Sequence, residues 1–113
     1  MSEFLYLYRG GASQADRTPA EAQDSMQKWV SWLTELGQQG HIKDPGQPLE
    51  YTGKVVSGKS KTVTDGPYAE AKDLVGGYTI VEAKDIEQAA QLSGGCPILE
   101  IGGAVEIRPV IKM

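Results

Sequence analysis

Two short runs constrain this chain more than any other feature. Phe4-Leu5-Tyr6-Leu7-Tyr8 and Tyr78-Thr79-Ile80-Val81 favour strands and are apolar or β-branched at every position. Successive strand side chains point to opposite faces, so strands of this kind need cover on both. Only two segments carry helical periodicity, and both helices belong on one face of the sheet. The other face is left open, and a second copy of the chain is the economical cover. A homodimer joined through that face is expected.

The remaining elements follow from local signals. Thr18-Pro19-Ala20-Glu21 starts a helix, with Thr18 as N-cap, Pro19 in the first turn and Glu21 completing a capping box. Ala22, Met26, Trp29, Val30, Leu33 and Leu36 then recur at helical spacing until Gly37 and Gly40. Trp29 and Trp32 read as packing. Ile42 to Leu49 reads as a loop. Gly53–Val56 and Lys61–Thr64 read as strands of a hairpin turning at Ser57–Ser60. Asp85 caps a second helix, with Gln88 in the box position, and Gly94-Gly95 stop it. Ala104–Val110 alternates as a last strand, and Pro109 places it at an edge. The order is strand, helix, strand pair, strand, helix, strand. That is an α+β chain, a ferredoxin-like split β-α-β with an added hairpin, in a single domain over 1–113.

The charge balance narrows the partners. A net charge of −4 over 113 residues argues against nucleic acid and anionic membrane surfaces. No apolar run approaches the roughly 20 residues that span a bilayer. Met1-Ser2-Glu3-Phe4 has no basic leader character, and the single Cys96 cannot close an internal disulfide. The reading is cytoplasmic. One histidine and one cysteine in no ligand spacing give no reason to expect a metal or cofactor.

One motif match misleads. Gly53-Lys54-Val55-Val56-Ser57-Gly58-Lys59-Ser60 satisfies the phosphate-binding loop G-x-x-x-x-G-K-[ST]. That loop works between a strand and a helix, where backbone N–H groups and the helix end cradle phosphates. Here Lys61-Thr62-Val63-Thr64 follows, which favours a strand, so the match reads as a glycine hairpin.

Thr64-Asp65-Gly66-Pro67-Tyr68-Ala69-Glu70-Ala71-Lys72, followed by Gly76-Gly77-Tyr78, is the most specific stretch. Asp-Gly-Pro makes a stiff turn that holds a carboxylate at the end of a strand. With Gly94-Gly95-Cys96-Pro97 and Gly102-Gly103-Ala104-Val105-Glu106-Ile107-Arg108-Pro109, it resembles the YCII-related, or DGPF, family along nearly the whole chain. The resemblance implies a dimeric α+β barrel, two sheets facing each other with clefts between. It does not imply one activity. Similar proteins include an enzyme that dehalogenates a muconolactone and accessory proteins encoded beside extracytoplasmic-function sigma factors.

Two functions follow. One is a small enzyme doing acid–base chemistry, elimination or isomerisation, on a small carboxylated or lactone substrate. The other is a non-catalytic binding or regulatory module. The resemblance implies a histidine–aspartate dyad in the cleft, carried here to Asp65, with His41 the only imidazole to join it. Without the histidine, proton transfer falls to Asp65 alone or with Glu70. Read structurally, Asp65 only caps the turn or the segment after it. Arg108, alternating with the apolar residues of the last strand beside Glu106, suits a carboxylate anchor or a dimer salt bridge. Tyr6 and Tyr8 share a face and suit a pocket wall or plain packing. Cys96 reads as a small apolar residue rather than a nucleophile.

Overall fold

The computed structural model describes residues 1–10, 17–67 and 73–113. Four antiparallel strands form the main sheet: β1 (Ser2–Arg9), β2 (Ile42–Asp44), β5 (Val75–Ala83) and β6 (Ala104–Pro109). Their order is β2-β5-β1-β6, so the two runs without alternation are the central strands and Pro109 sits on an edge. β3 (Gly53–Ser57) and β4 (Thr62–Gly66) form a separate hairpin. The phosphate-loop look-alike is thus strand, turn, strand. The Gly66–Pro67 peptide is cis.

Helices α1 (Pro19–Gln38) and α2 (Ile86–Ser93) pack on one face. Thr18 Oγ1 accepts from Glu21 N at 3.1 Å, and Asp85 Oδ1 accepts from Gln88 N at 2.8 Å, as the two caps require. The Gln88 side chain reaches one residue further back than a standard box and accepts from Lys84 N. The core joins Phe4, Tyr6 and Tyr8 of β1 with Val81 and Ala83 of β5, Trp32 and Leu36 of α1, and Ala89 of α2.

The buried stripe of α1 differs from the sequence reading. It runs through Trp29, Trp32, Leu33 and Leu36, and it leaves Met26 and Val30 exposed. The reason is aromatic: Trp32 lies against Tyr6 with ring centroids 6.2 Å apart, which turns the helix onto its two indoles. Residues 42–44, expected as loop, are a strand. Ile42 pairs with Val81 and packs on the core, and Pro45-Gly46 ends the pairing. A 3-10 helix, Pro97–Ile101, also went unforeseen; it follows the buried Cys96 and ends at Gly102 with φ +83.

The far side of the sheet carries Leu5 and Leu7 of β1 opposite Ile80 and Tyr78 of β5, all half-buried. On β6, Arg108 stands opposite Leu5 and Glu106 opposite Leu7. The radius of gyration is 15.5 Å, against about 13 Å for a close-packed chain of this length. Most residues of the β3–β4 hairpin are exposed.

Candidate functional site

On the helix side a cavity of about 420 Å³ lies between α1, the sheet and the 45–51 segment. Ala22, Met26, Trp29 and Leu33 of α1 form one wall, and Tyr8, Gly77 and Thr79 of the sheet form the floor. Ile98 and Ile101 of the 3-10 helix close one side. Among the described residues Arg17 is the one charged residue of the lining. The opposite wall is Pro45 to Pro48 with Tyr51.

Small residues set that wall in place. Asp44 Oδ1 accepts from Gly46 N at 2.8 Å, which turns the chain back over β5. Gly46 has φ +74, and a Cβ there would meet Tyr78 O at 1.7 Å, so only glycine fits. A Cβ on Gly76 would meet Tyr51 Oη at 2.9 Å, and one on Gly77 would meet Gln47 O at 3.1 Å. The Gly76-Gly77 pair therefore lets the wall lie flat on the strand.

The polar groups on the floor form a chain. Tyr8 Oη donates to Thr79 Oγ1 at 2.7 Å, and Thr79 Oγ1 donates to Pro45 O at 2.9 Å. Trp29 stands edge-on to Tyr8 with centroids 4.7 Å apart. Burial pushes the Tyr8 phenol well above its ordinary value. Tyr6 is fully buried and donates to Ala89 O at 2.5 Å; burial and the neighbouring Cys96 push its pKa up to about 12.

The other residues singled out by sequence lie elsewhere. The sheet separates Tyr6 and Tyr8 from Arg108, so the tyrosines and the arginine cannot share a pocket. On the far face Arg9 Nε donates to Glu106 Oε1 at 2.6 Å, and Arg108 Nη1 lies 3.5 Å from Glu106 Oε2. The Arg9 hydrogen bond holds the Glu106 carboxyl below the usual range. Asp65 stands on β4, 88% exposed, with Lys54 Nζ 2.5 Å from its Oδ1. His41 follows α1 and its Nδ1–H donates to Glu82 O at 2.7 Å. His41 and Asp65 make no hydrogen bond or ion pair with each other. Glu70, with the rest of 68–72 that Asp65 was expected to cap, lies outside the described residues. Cys96 is buried, and burial pushes its thiol up to about 12, which suits packing and not a nucleophile. No group of three or more metal-ligating side chains occurs among the described residues.

Sequence reasoning missed most of the cavity. Thr79 appeared only as a β-branched strand residue, Trp29 and Met26 only as packing, Pro45–Pro48 as part of a plain loop over Ile42–Leu49, and Tyr51 not at all. The usable signal was the Gly76-Gly77 pair just before the expected strand, at what is the start of β5, since glycine in a strand marks close approach of another backbone.

A model of the YCII-related domain matches residues 4–113. Among solved structures the chain is similar to 5-chloro-2-hydroxyhydroquinone dehydrochlorinase (TftG) from Burkholderia phenoliruptrix AC1100, in complex with 2,5-dihydroxybenzoquinone. The identity is 18% and the TM-score 0.46, over 98% of this chain and 95% of that one. A likeness that distant carries nothing about shared chemistry. No curated protein matches the chain closely enough to count as a relative.

Proposed function

The chain belongs to the YCII-related family, and from that premise we propose that it is a small-molecule-binding domain. Its ligand is a compact, largely apolar molecule held between α1 and the sheet. The cavity carries this reading. Its 420 Å³ falls within the usual range for ligand pockets, and its walls are aromatic and aliphatic with a few fixed polar groups. Among the described residues its lining has no carboxylate, histidine, lysine or cysteine, which favours binding over acid–base turnover. A thermal-shift screen of small alcohols, lactones and carboxylates should find compounds that raise Tm. Ala22→Trp, which fills the cavity from an exposed helix position, should abolish the shift. A screen without hits, or hits that survive Ala22→Trp, would sink the reading.

A second reading, acid–base catalysis through Asp65, has one observation in its favour. Asp65 pairs with Lys54 near the root of the hairpin, not at its tip. Lys54 follows the cavity residue Tyr51 by three positions, about 10 Å of extended chain. In this reading Asp65 acts without His41 on a small carboxylated or lactone substrate. Asp65→Asn should then abolish turnover and leave ligand affinity unchanged. The chain works as a homodimer through the open sheet face in either reading. A lone buried cysteine is consistent with a reducing compartment, the cytoplasm.

A further inference from the structure

The hydrogen bonds on the cavity floor have a forced direction. The Pro45 carbonyl can only accept, so its 2.9 Å contact uses the Thr79 proton. Thr79 Oγ1 must then accept in the 2.7 Å bond to Tyr8, which uses the Tyr8 proton. Both residues line the cavity, and with both protons committed neither hydroxyl has a proton left to donate; Tyr8, the more exposed of the two, keeps its lone pairs. The arrangement is held in place: Tyr8 is 5% exposed and Thr79 1% exposed, and Trp29 stands against the Tyr8 ring. The phenol stays neutral at working pH because burial disfavours the phenolate.

We propose that the Tyr8–Thr79 pair makes the cavity selective for ligands that present an O–H or N–H donor at the floor. The inference rests on the cavity being the ligand site. A carbonyl or carboxylate at the same point would set lone pairs against lone pairs and lose its own hydration without replacement. Tyr8 is then a specificity-determining acceptor, which rules it out as the contact for a substrate carboxylate. An anionic group on the ligand would have to lie away from the floor.

Three probes of one shape separate the terms: benzyl alcohol carries a donor, benzaldehyde only an acceptor, toluene neither. Titration calorimetry on the whole chain should rank benzyl alcohol above the other two by roughly threefold to tenfold, the worth of one net hydrogen bond. Thr79→Val keeps the side-chain shape, removes the acceptor and releases the Tyr8 proton. Benzaldehyde should gain by a similar factor in that variant, while toluene stays where it was. Thr79→Ser retains the hydroxyl and should retain the wild-type ranking, which covers the case in which the valine variant does not fold. If toluene binds and benzaldehyde binds as well as benzyl alcohol, the selectivity is wrong and the cavity reading stands. If none of the three binds at millimolar concentration, the cavity reading falls and takes the selectivity with it.

Discussion

A carboxylate matters through what it touches, and Asp65 and Glu106 touch different things. Asp65 is paired with Lys54, and the side chains are 88% and 68% exposed. Exposed pairs contribute about 0–1 kcal/mol, so Asp65→Asn should move Tm by no more than a few degrees. A larger loss in melting curves would make Asp65 a structural carboxylate and remove it from the catalytic reading. Glu106 is different, because Arg9 depresses its pKa in the folded chain. A depressed pKa means the unfolded chain binds the proton more readily. The contribution is therefore fully present above the ordinary carboxylate range and is lost as pH falls through the lowered value. Glu106→Gln should flatten the acid limb of a Tm-against-pH curve between about pH 5 and pH 3 and leave the neutral side parallel to wild type. An unchanged acid limb would mean the ion pair does not persist in solution. That Glu106 and Arg108 share the far face was legible from alternation alone; that Arg9 joins them was not, because the pairing register of two strands is not written in either.

At the scale of elements, the sequence was clear wherever the signal was local. Thr18 and Asp85 cap where their spacing to Glu21 and Gln88 says they should. Asp85→Ala should cost about 1 kcal/mol, a few degrees in Tm, and Asp85→Asn much less. Equal losses would mean charge, not the cap bond, holds the helix end. The hairpin was equally legible, because Val55-Val56 and Thr62-Val63 favour strands more strongly than a phosphate loop allows. Millimolar ATP or GTP with magnesium should leave Tm unchanged, and a shift of several degrees lost in Lys59→Ala would overturn the hairpin as a bystander. What stayed hidden was assembled from distant pieces. The cavity takes one wall from α1, one from residues 45–51, its floor from β1 and β5, and a side from the 3-10 helix. Each piece reads as packing or loop on its own. β2 was missed for a related reason: three residues carry too little pattern, and Ile42 becomes a strand residue only because Val81 is there to pair with.

For the whole molecule the decisive fact is an asymmetry between the two faces of one sheet. One face is covered by α1 and α2, with Tyr6 and Val81 fully buried and the cavity at one end. The other carries Leu5, Leu7, Tyr78 and Ile80 side by side, all half-buried, and among the described residues neither helix packs on it. Leaving those four in water forgoes the roughly 25 cal/mol per Å² that apolar burial returns, and a second sheet is a flat, complementary cover. Leu7 is the position to probe, since it stands between Tyr78 and Glu106 on the open face and makes no contribution to the helix-side core. Sedimentation of the wild type at micromolar concentration should give a mass near twice 12.2 kDa, with a Tm that rises with protein concentration, because association stabilises only the folded chain. Leu7→Asp should sediment at the single-chain mass, with a Tm independent of concentration and an unchanged far-ultraviolet spectrum. The charge is tolerable on a solvated strand face and intolerable in a dry one, so the variant separates the two cases. A wild type that stays at the single-chain mass, and a Leu7→Asp protein as stable as its parent, would mean the open face is solvated and the homodimer does not form there.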